Sequence, residues 1–158
     1  MQVEKLTVHI VGWLKQYALE SKMDGFVIGV SGGVDSAVTS TLCAMTGLKT
    51  LCVEMPIHQG KEQVTRAQEH IAGLKKQFTG VTSTQVDLSE LFEGFKTQLP
   101  EISNSDTLRL SLANTRARLR MTTLYYFAGI HKYLVAGTGN KVEDFGVGFY
   151  TKYGDGGV

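Results

Sequence analysis

The sequence is poor in the features that mark several large classes of protein. It has two cysteines and two prolines among 158 residues, so neither a disulfide scaffold nor a proline-rich linker is expected. Its 16 basic and 15 acidic residues leave a net charge of +1, which provides no broad basic surface for nucleic acid. No apolar run approaches the roughly 20 residues that cross a bilayer. We therefore predict one globular domain with no nucleic-acid partner and no membrane contact.

The two cysteines and the first residues of the chain bear on its compartment. Cys43 falls in a predicted helix and Cys52 in a predicted strand, without the CxxC spacing of a redox or metal site. Residues 1–23 carry charges among their apolar positions, unlike a secretory signal. These patterns predict two buried, reduced thiols and a cytoplasmic protein.

The most informative part of the chain is also defined partly by what it lacks. Phe26–Val30 is a short apolar run typical of a buried strand, and a helical pattern begins soon after it. Between them lies Ser31–Ser36 (SGGVDS), which has neither a Walker lysine nor a GxGxxG pattern. Its two glycines allow a tight turn whose N–H groups can hold an anion at a helix N-terminus. The segment predicts a phosphate-binding loop.

An acid inside this loop separates it from the common phosphate loops. The carboxylate of Asp35 would repel phosphates unless a divalent cation lay between them, and oxygen ligands with phosphates suit Mg²⁺. The alternative is an ordinary strand–helix turn in which Asp35 caps the helix. Two glycines alone would favour that alternative, whereas the full SGGVDS string between a strand and a helix favours phosphate binding.

Strand and helix patterns alternate along the rest of the chain. The predicted strands are 26–30, 50–54, 82–87 and 133–136. This alternation predicts an α/β fold with a doubly wound, mostly parallel sheet and helices on both faces. In such sheets ligands bind beyond the carboxyl ends of the strands. The segments expected to converge there are 31–36, 55–58, the region after Asp87, and 138–143.

The last 22 residues differ from the rest because seven of them are glycine. Such a segment serves either a close approach of the backbone to a ligand or a mobile loop. The chain ends at Val158 inside this stretch, without a closing helix or strand. We therefore expect a single domain over residues 1–158 whose C-terminal part is missing.

Other candidate side chains are three arginines and four histidines. Arg116 and Arg120 share one face of a predicted helix, whereas Arg118 points roughly opposite, so we expect no single basic patch and one arginine toward the site. No HExxH spacing occurs among His9, His58, His70 and His131. No serine has the GxSxG setting of a nucleophile. We expect structural histidines and no catalytic nucleophile.

Four strings together resemble a known family. The loop Ser31–Ser36 is similar to the pyrophosphate loop of the N-type ATP pyrophosphatases. Residues 114–121 (NTRARLRM), 137–143 (GTGNKVE) and 150–157 (YTKYGDGG) resemble NAD⁺ synthetases specifically. The resemblance covers essentially the whole chain. It implies an adenine nucleotide α-hydrolase-like sheet and a cytosolic homodimer.

That family converts deamido-NAD⁺, ATP and ammonia to NAD⁺, AMP and pyrophosphate, with Mg²⁺ as cofactor and without an enzyme nucleophile. The resemblance implies that Asp35 and Glu143 bind Mg²⁺ and that Arg118 and Lys152 contact deamido-NAD⁺. The residues that it assigns to ATP are Gly29, Val30, Ser31, Gly32, Gly33, Val34, Asp35, Ser36 and Thr138.

The departures from the family pattern lie toward the end of the chain. Members continue past Val158 with further residues for ATP and the dinucleotide, and the stretch 143–152 is one residue longer than in many of them. Two alternatives stay open, namely an ATP pyrophosphatase of the tRNA-modifying type and a fragment that binds ATP without turnover. Near-neutral charge and two core-like cysteines argue against the tRNA-modifying type.

Overall fold

The computed structural model describes residues 2–100, 105–148 and 150–154. Short β-branched runs alternate with longer amphipathic segments, so strands alternate with helices. The helices are α1 (Val3–Glu20), α2 (Val34–Met45), α3 (Lys61–Gln77), α4 (Ser89–Thr97) and α5 (Asp106–His131). The strands are β1 (Gly25–Gly29), β2 (Lys49–Glu54), β3 (Val81–Gln85) and β4 (Tyr133–Val135). A π-helical turn, Val142–Val147, follows β4.

The described strands form one sheet in the order β3-β2-β1-β4, and each neighbouring pair is parallel. In this register Val27 of β1 lies between Leu51 of β2 and Val135 of β4. Phe26, Val27 and Ile28 are fully buried, as expected for a strand that is covered on both faces. The predicted doubly wound, parallel sheet is confirmed.

Helices cover both faces of this sheet, as predicted. Successive residues of a strand point to opposite faces, so Val27 and Ile28 belong to different parts of the core. Val27 packs with Val135 and with Leu124 of α5 on one face. Ile28 packs with Leu14 of α1 on the other. Among the described residues, no helix is both long and apolar enough to cross a membrane.

The connections switch direction next to β1. The chain runs from β1 to β2 and β3 on one side of the sheet and later returns to β4 on the other side. At such a switch the two connections diverge and leave a crevice at the carboxyl ends of the strands. The β1–α2 loop and the residues that follow β4 therefore meet at the place where an α/β sheet binds its ligand.

Candidate functional site

A cleft of about 210 Å³ opens at the carboxyl ends of β1, β2 and β4. One wall comes from the end of β1 and the start of the loop, and the opposite wall comes from α5. Its lining residues are Gly29, Val30, Ser31, Val53, Met55, Gln59, Ala117, Arg120, Met121, Leu124, Val135, Ala136, Gly137, Thr138 and Gly154. Most of these side chains are apolar and a few polar groups converge among them, which is the usual make-up of a small-ligand site.

Hydrogen bonds within the SGGVDS loop hold its shape. The N–H of Ser31 donates to Oγ of Ser36 at 3.2 Å, and that hydroxyl donates to the carbonyl of Gly33 at 3.0 Å. The N–H of Gly33 in turn donates to Oγ of Ser31 at 3.3 Å. The two serines therefore tie the strand end to the first turn of α2, and the N-terminus of α2 faces the loop with its dipole positive.

Helix α3 supports the loop from outside. Gly32 has a φ of +82°, a conformation that favours glycine, and a Cβ placed there would overlap the carbonyl oxygen of Gln63. Nε of Arg66 donates to the carbonyl of Gly32 at 3.3 Å. The backbone of the loop thus lies directly against α3, and a residue with any side chain at position 32 would separate them.

The predicted magnesium ligands lie on either side of Asn140. Asp35 is half-buried in the first turn of α2, and its Oδ2 accepts a hydrogen bond from Nδ2 of Asn140 at 3.4 Å. Oδ1 of Asn140 accepts the N–H groups of Val142 and Glu143 at 3.1 and 3.0 Å. Glu143 is exposed at the start of the π-helical turn. One side chain therefore connects the loop acid to the backbone of the second predicted ligand.

The three arginines of α5 point as their spacing predicts. The guanidinium of Arg116 lies 5.3 Å from the ring centre of Phe92, and Nε of Arg120 donates to the carbonyl of Met55 at 3.0 Å. Both partners belong to the same core cluster. Arg118 points away from that face. Arg120 is the arginine that lines the cleft, and sequence reasoning did not choose it because the spacing alone cannot separate it from Arg116.

Arg118 contacts the chain after the π-helical turn instead. Its Nη2 donates to Oγ1 of Thr151 at 2.9 Å and its Nε donates to the carbonyl of Lys152 at 3.2 Å. Nζ of Lys152 lies 4.8 Å from the ring centre of Tyr153. The residues predicted to contact deamido-NAD⁺ are therefore neighbours, and their assignment to that substrate stays a prediction. Residues 155–157 of the last motif lie outside the described residues.

The same segment closes one end of the cleft. Gly154 lines it and packs so closely on Ala117 that a Cβ on Gly154 would lie 3.0 Å from the Ala117 Cβ. Thr151 is buried beside it. Glycine is needed here for a close approach of the backbone to α5, whereas the approach to a ligand expected for the glycine-rich stretch stays a prediction.

The region after Asp87 does not line the cleft, contrary to expectation. Its strand, β3, lies at the edge of the sheet, one strand further from the switch than β2. The N–H of Leu88 donates to the carbonyl of Pro56 at 3.0 Å, and the N–H of His58 donates to Oγ of Ser89 at 3.3 Å. This region therefore supports the turn after β2, and the turn itself reaches the cleft through Met55 and Gln59.

The cysteines and His70 fit structural roles. Cys43 and Cys52 are free and fully buried, and burial raises their pKa values to about 12 and about 11, so both thiols stay protonated near neutral pH. Nε2 of His70 lies 2.8 Å from Oγ of Ser40, and burial lowers the pKa of this histidine. The prediction of two buried, free thiols is confirmed.

The similarity to known proteins extends over almost the whole chain and is not limited to the loop. The NAD synthase family model matches residues 6–158. An ammonia-dependent NAD⁺ synthetase of Carboxydothermus hydrogenoformans is 38% identical over 98% of this chain and 62% of its own length. A protein of the same name from Methanosarcina acetivorans is 37% identical over 100% of this chain and 60% of its own length. The chain thus spans about three-fifths of the length of these relatives.

Two solved structures share this architecture. The structure of NMN synthetase from Francisella tularensis has a TM-score of 0.86 and 30% identity, and covers 100% of this chain and 63% of its own. The ammonia-dependent NAD synthetase from Campylobacter jejuni, in complex with a nitrate ion, has a TM-score of 0.84 and 30% identity. That match covers 98% of this chain and 64% of the Campylobacter chain.

Proposed function

Since the chain belongs to the NAD synthase family, we propose that it uses ATP to amidate deamido-NAD⁺ with ammonia, giving NAD⁺, AMP and pyrophosphate. The observation that carries this proposal is that Ser31 of the SGGVDS loop and Thr138 line one cleft at the switch of the sheet, while Asn140 hydrogen-bonds Asp35 of the same loop. The relatives and solved structures described above are NAD⁺ or NMN synthetases, which favours this reaction over the tRNA-modifying alternative.

The ATP phosphates belong, in this proposal, on the SGGVDS loop and the N-terminus of α2. The first turn of a helix offers N–H donors and the positive end of the dipole, which together favour an anion. The nucleoside would occupy the apolar part of the cleft, beyond Gly29 and Val30, within reach of the Thr138 hydroxyl. The cleft is lined mainly by apolar side chains on that side, as a purine base and ribose require.

Mg²⁺ would be held by Asp35 and Glu143, and the donor chemistry fits. Within the described residues, Asp35 accepts a hydrogen bond only from the neutral amide of Asn140 and forms no ion pair. A half-buried carboxylate without a cationic partner, next to a phosphate loop, suits a divalent cation. The described residues contain no group of three His, Cys, Asp or Glu side chains that could hold a metal ion together. Mg²⁺ needs none, because one or two carboxylates with substrate phosphates suffice.

The chemistry follows from what ammonia can and cannot do. Ammonia cannot displace oxide from a carboxylate, so the nicotinate carboxylate first attacks the α-phosphorus of ATP and the bond to the β-phosphate oxygen breaks. Pyrophosphate leaves, and a Mg²⁺ ion held by Asp35 and Glu143 would neutralise part of its charge. Ammonia then attacks the acyl carbon of the acyl-adenylate, loses a proton, and AMP departs. The loop N–H groups orient the phosphates, and no protein nucleophile is required.

Arg118 and Lys152 would contact the dinucleotide, which carries two phosphates. Arg118 is exposed, and both of its described contacts go to the segment that bears Lys152. A guanidinium fixed by two hydrogen bonds is well placed to add a contact to an anionic ligand at low entropic cost.

We place the protein in the cytoplasm as a homodimer. Two free, protonated thiols suit a reducing compartment. Tyr125, Tyr126 and Ile130 of α5 are 58%, 63% and 59% exposed, and clustered exposed apolar side chains are typical of an interface. Light scattering after gel filtration should give twice the mass of one chain.

Replacing Asp35 by Asn tests the assignment of the loop. We expect it to weaken binding of Mg²⁺–ATP in calorimetry by at least about a hundredfold, because a charged ligand contributes several kcal/mol at 1.36 kcal/mol per decade. Asp106→Asn is the matched control, since Asp106 also lies in the first turn of a helix but far from the loop in sequence and ion-paired with Arg109. Equal effects of the two changes would mean that a general helix-dipole contribution explains them.

A second assay distinguishes two further candidate functions. The similarity to an NMN synthetase favours testing the mononucleotide as well as deamido-NAD⁺ as the amide acceptor. The span of three-fifths of the relatives favours testing ATP binding without turnover. Pyrophosphate release should require deamido-NAD⁺ and ammonia. Faster release with nicotinate mononucleotide supports the first candidate, and tight ATP binding without any release supports the second.

A further inference from the structure

Asn140 is the one described side chain that joins the loop acid to the segment after β4. It makes three hydrogen bonds, one donated to Asp35 and two accepted from the N–H groups of Val142 and Glu143. Asn140 and Asp35 are 105 residues apart in the chain, so this contact exists only in the assembled fold.

The two ends of the Asn140 side chain do different work. Its Oδ1 lies at 3.1 and 3.0 Å from its two donors, within the usual range of about 2.7–3.2 Å, so the turn fixes the side chain firmly. Its Nδ2 lies at 3.4 Å from Asp35, which is a longer and weaker contact. The amide therefore biases the direction of the carboxylate without occupying it strongly.

A neutral donor is the right partner for an acid that must hold a cation. A lysine or arginine at this position would cancel the charge of Asp35 and compete with a metal. An amide orients the carboxylate and leaves its charge in place. Asn140 also sets the backbone of Glu143, so it acts on both acids at once.

We propose that Asn140 is a positioning residue that couples the phosphate loop to the Glu143 turn and holds Asp35 and Glu143 in a shared arrangement for a divalent cation. The proposal rests on the proposed function. It predicts that Asn140 affects the part of ATP affinity that depends on Mg²⁺ and leaves the rest unchanged.

Two substitutions separate the roles of the two ends of the side chain. Asn140→Ser is too short to reach Asp35, but its hydroxyl can still accept the N–H groups of the turn. Asn140→Ala loses both. The probes are ATP in EDTA and ATP with saturating MgCl₂, measured by calorimetry on the whole chain, with thermal denaturation as a check of folding.

We expect Mg²⁺ to strengthen ATP binding to the unmodified chain. The ratio of ATP affinity in MgCl₂ to ATP affinity in EDTA should be about tenfold smaller in both variants. ATP affinity in EDTA should stay within about twofold for Asn140→Ser, and any fall in thermal stability should be confined to Asn140→Ala. An unchanged Mg²⁺ enhancement in Asn140→Ser would overturn the proposal. So would an equal loss of affinity with and without Mg²⁺, because that result describes a purely structural side chain. If Mg²⁺ does not strengthen ATP binding to the unmodified chain, the proposed function itself fails.

Discussion

The SGGVDS loop and the glycine-rich segment after β4 both border the cleft, yet they are held in different ways. Hydrogen bonds within the loop join residues no more than five positions apart. The segment depends on Arg118, whose partners are 33 and 34 positions away, and on Asn140, whose partner is 105 positions away. The loop is closed mainly by its own hydrogen bonds, with one further bond from Arg66 of α3, 34 positions away. A segment held from a distance keeps its shape only while the whole sheet is assembled, so it should open at lower free energy.

Gly32→Ala should have the largest effect, because it breaks the loop where the loop meets α3. The substitution combines a positive φ with overlap against the Gln63 carbonyl, and together these should lower the free energy of unfolding by about 2–4 kcal/mol. Urea denaturation measures this loss, and calorimetry should detect no ATP binding.

Gly47→Ala is the matched control for that change. Gly47 also has a positive φ, of +76°, but a Cβ there meets nothing within 4 Å. It should cost only the backbone strain, about 1–2 kcal/mol, and leave ATP binding intact. If both substitutions behave alike, the close contact between the loop and α3 has no role.

The sequence was enough to predict the fold and the loop because their determinants are local. Each strand is a short apolar run and each helix has its own periodicity, so the alternation alone specifies a parallel sheet. The serines and glycines of the loop contact one another within a few residues. The edge position of β3 is a property of the assembled sheet, which is why the region after Asp87 was wrongly expected at the cleft.

The long-range contacts could not be predicted in the same way. Spacing placed Arg118 opposite Arg116 and Arg120, but only the packed structure shows that Arg120 reaches Met55 and lines the cleft. Two of the three hydrogen bonds of the Asn140 side chain had a local signal, because an Asn side chain often accepts the N–H groups two and three residues later where a helix begins. Its contact with Asp35 had none.

Arg120→Ala tests the wall of the cleft and should have a smaller effect than Gly32→Ala. It removes a charged donor to the Met55 carbonyl, which should cost about 1.5–3 kcal/mol of stability. It also removes a cation from the wall of the cleft, so ATP affinity should fall by about tenfold, the value of one charge-assisted contact to the nucleotide. Arg116→Ala is its control on the same helix face. That change removes only the contact with the Phe92 ring, about 0.5–1 kcal/mol of stability, and should leave ATP affinity unchanged. Equal losses of affinity would assign the effect to the charge of α5 as a whole.

Arg118→Ala should loosen the segment after β4 and leave the loop in place. Limited proteolysis should cut near Tyr150 and Tyr153 several times faster, while ATP affinity in the absence of the dinucleotide changes by less than about threefold. Thr151→Val removes one of the two contacts of Arg118 and should give a smaller increase. Cleavage of Arg118→Ala at the rate of the unmodified chain would mean that Arg118 does not hold the segment.

The smallest effect concerns pH and the outer support of the loop. His70 of α3 hydrogen-bonds Ser40 of α2 and lines a second, smaller cavity behind Gly32 and Gly33. Burial lowers its pKa, so the unfolded chain takes up a proton at a higher pH than the folded chain does. Stability should therefore fall as the pH drops from about 7 through the ordinary histidine pKa near 6.5 toward the lower value of the folded state.

His70→Gln should flatten that part of the profile, since an amide can still hydrogen-bond Ser40 but does not titrate between pH 5 and 7. The measurement is the free energy of unfolding against pH for the two proteins, and His9→Gln, an exposed change on α1, controls for the loss of a histidine. Because His70 links α2 to α3, the acid-sensitive step belongs to the loop side of the cleft. The rate of proteolysis near Tyr150 should therefore change when Arg118 is replaced and should not change when His70 is protonated. If the free energy of unfolding of His70→Gln depends on pH as it does in the unmodified chain, His70 does not cause the loss of stability in acid.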